Sequence, residues 1–122
     1  ERWKALGSPW RPGMRHPPVH GSGIALPQWE AARCVHVGEW HTEYSGKTRD
    51  AAPGATPDWT DPATLGALLG LVRERYGEPT LHIWYSRQIG LWIVSANGQE
   101  IGVQETTEAE ALIAALEAAD ER

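Results

Sequence analysis

Phenylalanine is absent from these 122 residues, and cysteine and methionine occur once each. The lone Cys34 forbids an intrachain disulfide, which excludes a disulfide-stapled secreted scaffold and fits a reducing cytoplasm. No apolar run approaches the ~18 residues of a membrane span, so no membrane partner is expected. Positive charge is in short supply: 11 Lys and Arg face 16 Asp and Glu, for a net charge of -5. Such a chain repels a phosphate backbone overall, which argues against general nucleic-acid binding while leaving room for a local arginine pocket. Catalytic signatures are missing too. No serine sits in a Gly-x-Ser-x-Gly elbow. Gly21-Ser-Gly23 precedes a predicted strand rather than a helix and lacks the lysine of a phosphate loop.

Tryptophan, by contrast, is abundant, with 7 residues, and the basic residues are almost all arginine. Ala, Gly and Pro are frequent, a bias typical of a high-GC genome. The pattern reads as one domain, 1–122, with an arm, hairpin and loop over 1–59 and an α-β-β-β-α core over 60–122. Residues 1–6 are read as the last turns of a helix stopped at Gly7. The four prolines and three glycines of 8–23 predict an arm without regular structure. Strands are expected over 24–29 and 33–44, the latter a hairpin turning near Gly38, and 45–59 reads as a loop.

The second half carries sharper signals. Asp61-Pro62 is an N-cap with proline at the first helical position, and Leu65, Leu68, Leu69, Val72 and Tyr76 recur at helical spacing until Gly77. Gly66 and Gly70 lie one turn apart, which predicts close approach of another backbone. Residues 81–86 and 91–96 are apolar on both faces and are separated by a four-residue loop, 87–90. Asn97-Gly98 signals a type I′ turn into a third strand over 100–105. Thr107 and Glu110 form a capping box that opens a final helix. The expected fold is α+β, a two-layer sandwich in which two helices flank an antiparallel three-stranded meander.

Helices cover one sheet face only, so the other needs the N-terminal half, a second subunit or a ligand. Alternation puts His82, Trp84 and Ser86 on that second face, with Trp92, Val94, Gly102 and Gln104 as candidates from the neighbouring strands. Indoles flanked by His82 and Arg87 suit a planar ring and an anion. The alternative is that they are simply core beneath Trp40 and Tyr44. Trp10, Arg11 and Arg15 form a second candidate in the arm, which either clasps a ligand or anchors through Trp10 and Met14 onto its own domain. Of the histidines, His16 and His20 are spaced i, i+4, but Pro17 and Pro18 forbid the helix that would align them for a metal. Cys34 reads as a small buried hydrophobe within a Val-rich strand. No cofactor is expected.

The segments 10–14, 57–74 and 107–116 resemble small uncharacterised accessory proteins of tailed bacteriophages and prophages of high-GC bacteria, the Asp-Pro-Ala-Thr-Leu-Gly stretch at 61–66 being the most distinctive. The resemblance implies a phage gene product acting in the host cytoplasm, and it carries over no functional residues. The expected function is therefore non-enzymatic binding by a homo-oligomer. One version counters host defence by sequestering a nucleotide-like signal on Trp10, Arg11, Arg15, His82, Trp84, Arg87 and Trp92. Another inhibits a host protein, or serves the virion, through the apolar sheet face. A metal-dependent hydrolase using His16, His20, His36 or His41 is the remaining alternative.

Overall fold

The computed structural model describes residues 2–17, 32–36, 39–42, 48–49 and 56–121. The strand expected over 24–29, His20, the turn at Gly38 and Tyr44 lie outside the described residues. The described elements are α1 (Arg2–Ala5), β1 (Arg15–His16), β2 (Ala32–His36), β3 (Glu39–Thr42), β4 (Thr48–Arg49), α2 (Pro62–Tyr76), β5 (His82–Ser86), β6 (Leu91–Ala96), β7 (Gln99–Glu105) and α3 (Glu108–Asp120). They make a mixed α+β protein with two antiparallel sheets, ordered β1-β2-β3-β4 and β5-β6-β7. The first hairpin therefore builds a sheet of its own instead of extending the meander.

The chain divides into two compact units, 7–67 and 1–6 with 68–122. The boundary falls inside α2, whose first turn is hydrogen-bonded to the N-terminal sheet. Arg15 N–H donates to Thr64 Oγ1 at 2.9 Å, and Arg33 reaches Asp61 with both terminal nitrogens, at 2.8 and 3.2 Å. Asp61 also caps the helix as its position predicts, accepting from the Thr64 N–H at 2.9 Å and its hydroxyl at 2.7 Å.

In the unit 7–67 the arm is better ordered than its prolines suggest. Gly13, at φ +95°, makes the reversal that lets Gly13 N–H donate to Cys34 O and Cys34 N–H to Met14 O. That stitching yields β1, a two-residue strand where no regular element was expected. The loop expected over 45–59 likewise contains β4, paired with β3. Met14, His16, Ala32, Cys34 and Trp40 are buried, and Trp10 packs on the last three.

The other unit follows its local signals closely. α2 ends in a Schellman motif, with Glu78 N–H on Arg73 O, Gly77 N–H on Glu74 O and Gly77 at φ +66°. Asn97 and Gly98 take φ 53° and 76°, as a type I′ turn demands. Thr107 accepts from Glu110 N–H at 3.1 Å, while the Glu110 carboxylate takes the Thr106 hydroxyl, so half of the capping box forms. α3 packs along β6 and β7, burying Leu112, Ile113 and Leu116. Tyr76 Oη donates to Ala115 O at 2.9 Å and Arg75 pairs with Asp120 at 2.6 Å, joining the end of α2 to α3. α1 adds the buried Trp3, and Arg2 donates to Glu117 at 2.7 Å.

Among the described residues Gly66 and Gly70 do not meet another backbone: a Cβ built on either has nothing within 4 Å. No described neighbour offsets their cost to the helix. Gly66→Ala and Gly70→Ala are each expected to stabilise the protein by about 0.5–1 kcal/mol, read from urea melts.

Candidate functional site

The hairpin β5–β6 is where the described residues depart most from a covered core. Large apolar side chains are exposed at Trp84 (42 %), Tyr85 (47 %), Ile89 (51 %) and Val35 (40 %), so three of these four fall within six residues of one hairpin. The four-residue loop forms as expected, closed by Gly90 N–H donating to Ser86 O at 2.8 Å with Gly90 at φ +69°. It sets Ser86 opposite Leu91, hence Tyr85 opposite Trp92 and Trp84 opposite Ile93.

Directly opposed residues of an antiparallel pair share a face. Trp84 and Trp92 are therefore on opposite faces, which corrects the expectation that they line one surface. Val94, opposite Ile83, also moves to the Trp92 side. Gln104, opposite Ile93, stays with Trp84, while Gly102 lies where the β6–β7 register shifts. The physical reason is loop length: four residues leave no freedom to bring Trp92 beneath Trp84.

Each indole then has its own setting. Trp84 Nε1 donates to Ser95 Oγ at 3.0 Å, which fixes the ring while much of it remains in solvent. Trp92 is half-buried and meets the exposed Tyr85 edge-on, with centroids 5.4 Å apart. His82 is exposed on the Trp84 face, its Nδ1 donating to Thr80 O at 3.3 Å. Arg87 is exposed in the loop. Tyr85 and Ile89 were not among the sequence candidates. The available signal was an isoleucine inside a four-residue turn, where nothing local requires an apolar side chain.

The arm residues are built into their own unit. Trp10 stacks on His16 at 6.1 Å and meets Trp40 edge-on at 5.6 Å. Arg11 N–H donates to Met14 Sδ, and Met14 is fully buried, so the arm anchors through Trp10 and Met14. Arg15 Nη1 lies 2.6 Å from Asp58 Oδ2. That carboxyl sits below its ordinary range, held there first by the Thr60 hydroxyl and N–H and then by Arg15. Arg15 thus serves an internal ion pair and is not poised for a ligand phosphate.

His16 is buried, and its Nδ1 faces Pro17 O at 2.7 Å, so Nδ1 carries the proton and donates. His41 is exposed. Among the described residues no three His, Cys, Asp or Glu side chains assemble as metal ligands. Cys34 is 2 % exposed and burial pushes its thiol pKa up, so the thiolate is disfavoured. Native protein is expected to react with a disulfide reagent at least about 100-fold more slowly than free cysteine, and at the ordinary rate in denaturant. Rapid labelling of the native thiol would contradict its assigned burial.

No protein family matches this chain, and neither a curated protein nor a solved structure shows significant similarity to it. No described helix is long and apolar enough to cross a membrane.

Proposed function

We propose that the protein is a non-enzymatic accessory binding protein of a phage or prophage, acting in the host cytoplasm by docking a host protein on the outer edge of β5. The carrying observation is the concentration of exposed Trp84, Tyr85 and Ile89 on one edge hairpin. Among the described residues no strand pairs with the outer side of β5. Its sequence, His82-Ile-Trp-Tyr-Ser86, also lacks the lysines and prolines that ordinarily blunt such an edge. An extended segment of a partner adds its main-chain hydrogen bonds to that edge, and the rings on both faces grip its alternate side chains. Resemblance to phage accessory proteins at 61–66 supports the cellular context.

The meander belongs in this reading to a two-layer sandwich with both helices on one side, which frees the β5 edge for the partner. Homo-oligomerisation is part of the proposal. Sequestration of a nucleotide-like molecule is the second reading. It is favoured by the exposed Trp84 ring with His82 on its face and Arg87 in the adjoining loop.

Titration decides between the two. Docking a protein predicts that nucleotides leave tryptophan fluorescence unchanged, while a host protein is retained by the parent and released by Trp84→Lys. Saturable quenching by a nucleotide, abolished by Arg87→Ala, would establish the second reading instead.

A further inference from the structure

The other end of the meander, around the Asn97-Gly98 turn, carries a groove of about 460 Å³ lined in part by Tyr76, Glu78, Asn97, Gln99, Ile101 and Ala118. Its volume is that of a small-molecule site. None of its described lining side chains is basic. Tyr76 is the last residue of α2 and Ala118 lies in the last turn of α3, so both helices turn their C-terminal, partially negative ends toward it. α3 has no basic residue in its last turn to offset this. At the end of α2 the nearby cations are committed elsewhere, Arg73 to Leu81 O at 2.7 Å and Arg75 to Asp120 at 2.6 Å.

Within this negative setting Glu78 is held in place. The Thr80 hydroxyl faces Asn97 Oδ1 at 3.2 Å, which turns the Asn97 amide so that Nδ2 donates to Glu78 Oε2 at 3.2 Å. That leaves Oε1 for another donor. The Tyr76 hydroxyl is tied to Ala115 O at 2.9 Å, so the phenol is fixed in the wall. Ile101 and Ala118 complete an apolar lining beside the carboxylate.

We propose that this groove binds a free aliphatic primary amine, such as a diamine or polyamine. The ammonium donates to Glu78 and lies against the Tyr76 ring, and the methylene chain runs along Ile101 and Ala118. The groove lies at the opposite end of the meander from the Arg87–Gly90 turn, so its test is read separately from that of Tyr85 and Ile89.

The test is an NMR titration of the full chain with cadaverine, with 1,5-pentanediol as the uncharged control of equal length. Cadaverine is expected to shift amides of 76–78, 97–101 and 118 saturably, and more weakly as salt rises. Glu78→Gln, which keeps the Asn97 contact, weakens binding about tenfold. Ala118→Leu fills the groove without touching its charge and abolishes binding, with unshifted resonances elsewhere reporting an intact fold. An equal response to the diol, no saturable response, or full affinity in Glu78→Gln would each overturn the proposal. So would binding of a lysine-rich peptide with no response to cadaverine, because the site would then serve a protein side chain.

Discussion

Asp61→Ala is expected to destabilise the protein by about 2–3 kcal/mol and to lower its melting temperature by about 10 °C. One carboxylate does three things here. It caps α2 through the Thr64 N–H, accepts the Thr64 hydroxyl, and takes both terminal nitrogens of Arg33. Losing the cap alone costs about 1 kcal/mol. The rest comes from removing this acceptor from the buried Thr64 hydroxyl and from the partly buried Arg33, which keeps its bond to Gly13 O at 2.7 Å. Asp61→Asn keeps the cap and loses the charge, so it is expected to cost less than alanine. Arg33→Ala combined with Asp61→Ala should fall short of the sum of the singles by about 1 kcal/mol, because the two share one interaction.

The same group sets an acid limit. Arg33, then the hydrogen bonds from Thr64, hold the Asp61 carboxyl down to about 2 against an ordinary 3.8. A depressed folded-state pKa means the unfolded chain binds the proton first as pH falls. Its contribution, about 1–2 kcal/mol after allowance for the solvent around Arg33, is therefore complete well above pH 4. It is lost as pH drops toward 2. Urea midpoints between pH 6 and pH 2 should fall for the parent and fall less for Asp61→Asn. Parallel decline in both would remove Asp61 from the acid response.

Trp84→Lys with Tyr85→Lys is expected to weaken partner binding at least about 100-fold, with a stability change within about 1 kcal/mol. Aromatic anchors at the centre of an interface commonly carry about 2 kcal/mol or more each. Two lysines also place like charges where an added strand must lie. The modest stability effect follows from exposure: Trp84 loses one bond to Ser95, and Tyr85 loses its edge contact with Trp92. Ile89→Ser tests the loop separately, because its side chain is half in solvent and closes no turn hydrogen bond. Unfolding of the double variant would show instead that these rings are structural.

Much of the second half was legible because its signals are local. Asp61-Pro62, Gly77, Asn97-Gly98 and Thr107 each act within four residues, and each behaves in the structure as its chemistry requires. The facing of Trp92 was misread, although a four-residue loop with Ser86 opposite Leu91 separates it from Trp84. What local chemistry does not contain is the partner across the chain. Arg15 reads as a free cation until Asp58, 43 residues away, claims it. Arg33, 28 residues from Asp61, anchors α2 through a contact that no local pattern contains. β1 and β4 are two residues each, too short for any periodicity, and exist through backbone pairing alone. Leu71, fully buried, falls outside the stripe read for α2 because that helix is apolar on more than one side.

The most direct measurement of the docking role is site-specific photo-crosslinking in infected or expressing cells. A photoreactive residue is placed at position 85 or 89, with position 74 on α2 as the exposed control. One discrete protein adduct is expected from 85 and 89 and none from 74, and the adduct should disappear in Trp84→Lys. Adducts of equal yield from 74, or none from 85 and 89 while the partner still co-purifies, would contradict a β5 docking edge.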